Sequence, residues 1–79
     1  MKLNSLVAER INDLFNEKNT NQRAIARKIG IHHNTINYIV KGKNKTIKLN
    51  TIALICRGLD MTLDEFFNDP IFKTEFEVD

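Results

Sequence analysis

The sequence has one cysteine, Cys56, and one proline, Pro70. A lone cysteine excludes an internal disulfide, and such a composition suits a reducing compartment. A single proline near the end leaves no proline-rich linker and no break inside the patterns that precede it. Long apolar runs are missing too. Leu6, Val7 and Ala8 are closed by Glu9 and Arg10, too short a run for a secretory signal. The longest, Ile52 to Cys56, falls far below the roughly 20 residues of a membrane-spanning helix. A soluble, cytoplasmic protein with no membrane partner is expected. There is no internal repeat and no low-complexity stretch. No nucleophile–base set, glycine-rich phosphate loop or metal-ligand cluster is seen, so no enzyme activity, cofactor or metal is expected. At 79 residues the chain is one domain with a thin core, which oligomerisation would help, and it shows no second domain to sense a small-molecule ligand.

The most telling absence is of acid. Between Lys18 and Arg57 there is no Asp or Glu, against the cations Lys18, Arg23, Arg27, Lys28, Lys41, Lys43, Lys45, Lys48 and Arg57. From Gly58 onward the balance reverses: Asp60, Asp64, Glu65, Asp69, Glu75, Glu77 and Asp79 face only Lys73. The net charge of +2 conceals this division. An acid-free basic stretch is a surface for a phosphate backbone, and the acidic end is expected on the far side from it.

What is present reads as short amphipathic helices. The spacing predicts a first helix over about Ser5–Lys18, with Ser5 as N-cap and Leu6, Val7, Ile11, Leu14 and Phe15 as its apolar stripe. A second runs from Gln22 to Ile29 behind an Asn21 N-cap and ends at Gly30, which takes the left-handed conformation without strain. A third, about His33–Lys41, buries Ile36, Ile39 and Val40 and stops at Gly42. A basic loop, Lys43 to Lys48, leads to a fourth, about Leu49–Gly58. The fifth opens on Thr62-Leu63-Asp64-Glu65, in which Thr62 and Glu65 can each satisfy the other's backbone N–H. From Phe72 to Val78 the period changes to two, which fits a strand with one apolar face.

The second helix, the Gly30 turn and the third helix form the informative unit, about 21–41. Ala26 permits close approach and Gly30 the turn, while Ile25, Ile29, Ile31, Ile36 and Ile39 fill the wedge. His33, Asn34, Asn37 and Tyr38 are left on the outer face of the third helix. They are uncharged hydrogen-bonding side chains, suited to base edges in a major groove. Gln22, Arg27, His32, Lys43, Asn44 and Lys45 flank them as phosphate contacts.

Here the chain resembles the lambda-repressor/Cro-type helix-turn-helix domains, over about residues 5 to 67. The resemblance rests on Asn21-Gln22-x-x-Ile25-Ala26-x-x-Ile29-Gly30-Ile31, on Thr35-Ile36-x-x-Ile39-x-x-Gly42, and on Thr51-Ile52-x-x-Ile55-x-x-x-Leu59-x-x-Thr62-Leu63-Asp64-Glu65-Phe66, in that order. It implies an all-α, five-helix domain over 1–67 that binds an operator in double-stranded DNA as a homodimer, with the third helix in the major groove. It also implies that Gln22 holds a phosphate and that His33, Asn34, Asn37 and Tyr38 face bases. A repressor or Cro-like transcriptional regulator is the function it implies; the alternative on the same fold is an antitoxin that also binds a partner toxin. Three positions depart from the family pattern. Phe15 and Val40 stand where an Arg–Glu ion pair is common, and should touch. The loop after Gly42 runs longer and lacks a proline. His32 replaces the Ser or Thr that usually starts the third helix.

Other residues have plainer readings. His32 and His33 as metal ligands are disfavoured, because neighbours on a helix diverge by about 100° and no Cys or acid lies nearby. Cys56 lies on the apolar stripe of the fourth helix and reads as core. Asp64 and Glu65 are explained by the helix start rather than by catalysis. Phe66 and Phe67 divide between core and interface. The arm, 68–79, carries Phe72, Phe76 and Val78 on one face. With Phe67 it forms the expected dimer surface, unless it folds back on its own domain.

Overall fold

A computed structural model describes residues 1–78; Asp79, counted in the acidic arm above, lies outside them. The architecture is α1 (Leu3–Glu17), α2 (Gln22–Ile29), α3 (His33–Val40), α4 (Leu49–Gly58) and α5 (Leu63–Phe67), followed by one 3-10 turn at Pro70–Lys73. Among the described residues there is no strand, only an isolated parallel bridge between Lys2 and Glu77.

The apolar stripes converge as expected. Ile11, Ile36, Ile39, Ile55 and Phe66 are fully buried, with Leu14, Ile25, Ala26, Ile52 and Leu59 around them. Cys56 belongs to this core, and burial pushes its thiol pKa up, against an opposing pull from the charge of Arg10. Phe15 is buried in this core and Val40, half-buried, packs against the same cluster.

Helix ends follow local chemistry where that chemistry is complete. Asn21 accepts from the Ala24 N–H, and Thr62 and Glu65 form the reciprocal box. Gly30 ends α2 at φ 76°, with the N–H groups of Gly30 and Ile31 both bonded to the Ala26 carbonyl. Asn19 and Asp60, at φ 53° and 57°, end α1 and α4; short polar side chains tolerate that region better than most.

Two expectations fail at the chain ends. α1 begins at Leu3, not Ser5, and its N-cap is Lys2, whose side chain makes no capping hydrogen bond to the helix start. The reason is tertiary: the Glu77 carbonyl accepts from Leu3 N–H at 2.9 Å, satisfying a donor that a capping side chain would otherwise serve. The arm is not a strand over 72–78. Asp69 accepts from Ile71 N–H and Pro70 occupies the first helical position, so the chain winds into a 3-10 turn. That turn brings Phe72 onto Phe67 and Phe66, with ring centroids 5.1 and 6.0 Å apart. Phe67 and Phe72, expected at a dimer surface, are thus engaged within their own chain, whereas Phe76 and Val78 remain exposed.

The arm does not swing clear of the basic segment either. Glu77 lies beside Lys2, whose ammonium is 3.5 Å away, at the same end of α1 where Asn4 holds the basic loop. Packing of Phe72 against the core and backbone pairing of Glu77 with Met1 and Leu3 hold the arm there, and the opposite charges of Glu77 and Lys2 attract rather than oppose this placement.

One buried side chain organises this end of the domain. Arg10 points into the core, where its Nε donates to the Phe66 carbonyl at 2.8 Å and its Nη2 to the Glu65 carbonyl at 3.0 Å. Its Nη1 lies 3.1 Å from the Asp69 carboxylate, and the guanidinium carbon is 5.8 Å from the Phe66 ring centre. The last turn of α5 and the start of the arm are thereby fastened to α1. The sequence carries the signal: Arg10 lies on the apolar stripe, three residues after Val7 and four before Leu14.

Candidate nucleic-acid interface

α2 and α3 meet at the Gly30 turn, with Ile25, Ala26, Ile36 and Ile39 buried between them and the rest of the core. Ala26 is buried at this junction and Gly30 takes the left-handed conformation of the turn. A close approach that was not evident from sequence lies between α2 and α4. Gly58 of α4 faces α2 so tightly that a Cβ there would fall 2.8 Å from Ile29 Cγ2. Lys28 reinforces the junction, donating to the Gly58 carbonyl at 2.9 Å and approaching Asp60 at 3.5 Å. This cation of the acid-free stretch therefore serves packing between α2 and α4.

With Ile36 and Ile39 inward, helical geometry turns the other side of α3 outward. Asn34 and Tyr38 are exposed, and His33 and Asn37 are half-buried beside them. The four residues expected to face bases do fall on one surface. Lys41, also exposed, lies just past the end of α3 in line with this surface, one turn after Asn37, where a helical wheel would have found it. Gln22, at the first position of α2, donates from Nε2 to Asn37 Oδ1 at 3.4 Å, linking an expected phosphate contact to an expected base contact.

Both ends of α3 are held. At its start His32 is the N-cap, its Nδ1 accepting from Asn34 N–H at 3.2 Å. At its end Asn12 of α1 donates to the Val40 carbonyl at 3.1 Å. The imidazoles of His32 and His33 stack, with centroids 4.8 Å apart and planes 21° apart. The expected divergence of adjacent residues does not apply, because His32 has extended rather than helical backbone. Arg23 and Arg27 line the same shallow depression.

On the other flank Gly42, at φ 68°, turns the chain into the loop 43–48. Lys43, Lys45 and Lys48 are exposed there, while Asn44 is half-buried. Asn4 Nδ2 donates to the carbonyls of Asn44 and Lys45 at 2.7 and 2.6 Å, fixing the loop to α1 by its backbone and leaving the lysine side chains outside. Basic groups thus stand on both sides of an uncharged α3 surface. Among the described residues no group of three or more His, Cys, Asp or Glu side chains could hold a metal, and no helix is long and apolar enough to cross a membrane.

This arrangement is that of a helix-turn-helix regulator of transcription. The chain belongs to the Cro/C1-type helix-turn-helix DNA-binding domain family, whose model matches residues 10–70. Two solved structures share its fold. One is a tyrosine-to-phenylalanine mutant of the restriction-modification controller protein C.Esp1396I, at TM-score 0.80 and 25% identity, covering 92% of each chain. The other is prophage Lp1 protein 11, at TM-score 0.81 and 25% identity, covering 95% of this chain and 100% of that one. No curated protein sequence matches the chain.

Proposed function

We propose that this domain is a repressor or Cro-like regulator that binds an operator with α3 in the major groove. The observation that carries this reading is the outer face of α3. His33, Asn34, Asn37 and Tyr38 form an uncharged hydrogen-bonding surface inside an otherwise basic, acid-free segment. Uncharged amides discriminate bases, and the flanking cations supply affinity that is blind to sequence. Gln22, Arg27, His32, Lys43, Asn44 and Lys45 take the phosphates. Asn34 and Asn37 are the specificity residues: a paired hydrogen bond to an adenine edge discriminates by about 1–3 kcal/mol.

One such unit buries too little surface to select a site tightly, so the domain works as a homodimer reading two half-sites about 34 Å apart. Phe76 and Val78, the arm's exposed apolar residues, are its contribution to that pairing. Selection of bound sequences from random DNA tests the whole reading. A two-fold symmetric preferred sequence is expected, and Asn34→Ala and Asn37→Ala should relax it at defined positions. If both variants keep the wild-type preference, α3 is not the reading element. Phe76→Asp should lower the mass in solution; an unchanged mass removes the arm from the interface.

A further inference from the structure

α3 starts on an uncommon cap. Ser, Thr, Asp and Asn usually accept the free N–H groups at a helix start, and their oxygens do so across the neutral range. Here the acceptor is an imidazole nitrogen, His32 Nδ1, 3.2 Å from the Asn34 nitrogen. An imidazole nitrogen accepts only when it carries no proton, so this bond selects the neutral ring with its proton on Nε2. The Nε2–H, on the far side of the ring, is left to donate outward. The groups facing the ring are the His33 imidazole, stacked at 4.8 Å, and Arg23 and Arg27 of α2. No carboxylate lines this depression.

We infer that His32 is a positioning residue whose neutral, Nε2-protonated form holds the reading surface of α3, so that acid uncouples sequence-specific from non-specific DNA binding. The inference rests on the DNA-binding reading above. Protonation of His32 removes the acceptor from Asn34 N–H and places a cation at the positive end of the helix dipole. The first turn of α3 then loosens, and with it His33 and Asn34, two of the four base-facing residues. The same protonation adds positive charge against phosphates, which strengthens binding to every DNA sequence alike. Overall affinity is therefore the wrong quantity to follow; the ratio of specific to non-specific affinity isolates the cap.

Two measurements on the full chain test this. The first is the tautomer, read from long-range proton–nitrogen NMR correlations of the imidazoles in the free protein near neutral pH. His32 is expected to carry its proton on Nε2, and a proton on Nδ1 would overturn the inference. The second is the ratio of affinities for the preferred duplex and for a scrambled one, followed from about pH 8 to about pH 5. Loss of a cap predicts a fall of about three- to tenfold in the wild type. His32→Ser, whose cap does not titrate, should give a flat ratio whatever its absolute affinity. A flat wild-type ratio, or a fall retained in His32→Ser, overturns the role of His32 while leaving the functional reading intact. Absence of any preferred sequence at every pH would instead overturn the functional reading, and this inference with it.

Discussion

Arg10→Met removes a buried cation while keeping a long apolar stem, and its cost can be worked from the contacts. Two hydrogen bonds run from the guanidinium to the Phe66 and Glu65 carbonyls, at 2.8 and 3.0 Å. Bonds from a charged donor contribute about 1.5–3 kcal/mol each, or about 3–6 kcal/mol gross. Water reaching the freed carbonyls returns part of that. The ion pair with Asp69 adds little, because the Asp69 side chain is 32% exposed and screened pairs contribute about 0–1 kcal/mol. A net loss of about 3 kcal/mol follows. A domain of this size has about 4–12 kcal/mol of stability in all, so the midpoint of thermal unfolding should drop by about 12–24 °C. The partner substitution separates the two contributions. Asp69→Asn keeps the oxygen that caps the 3-10 turn and loses only the charge, so it should cost about 1 kcal/mol or less. Urea titrations followed by circular dichroism give both values. If Arg10→Met lies within about 1 kcal/mol of wild type, or Asp69→Asn matches it, the assignment of Arg10 to the α5 carbonyls is wrong.

Further outcomes are expected elsewhere. Gly58→Ala gains about 0.5–1 kcal/mol of helix propensity but forces a Cβ against Ile29 and Ile25, at about 1–3 kcal/mol of overpacking; a lower urea midpoint is expected, and a higher one would mean that α2 and α4 are not this close. If each subunit of a dimer neutralises about three to four phosphates, the log–log salt slope of operator binding is about −5 to −7, and Lys43→Ala should make it shallower by about 2 per dimer. An unchanged slope would remove Lys43 from the phosphate contacts. The Thr62 backbone N–H, and then its hydroxyl, hold the Glu65 carboxyl below the usual glutamate range. The contribution of this lowered group is complete above the unfolded value of about 4.3 and is lost as pH falls through the folded one. Stability of Glu65→Gln should therefore depend less steeply on pH below about 4.3 than that of the wild type, and identical profiles would refute the box.

The sequence by itself determined every helix whose stop or start is local. Asn21, Gly30, Thr62 and Glu65 act on backbone groups within a few residues of themselves, so the bounds of α2 and the start of α5 were legible without the fold. The outer face of α3 was legible for a related reason. Once Ile36 and Ile39 point inward, helical periodicity places Asn34, Asn37 and Tyr38 without further information. What tertiary structure alone decided lies where the partner is distant in sequence. Leu3 begins α1 because Glu77 satisfies its N–H, Arg10 is buried because α5 brings two carbonyls to it, and Gly58 matters because α2 crosses there. The two-residue period of the arm was real as a pattern, but Asp69 and Pro70 started a turn and Phe72 found Phe66 and Phe67. A pattern gives the period of a segment; which surface it covers depends on what the rest of the chain leaves uncovered.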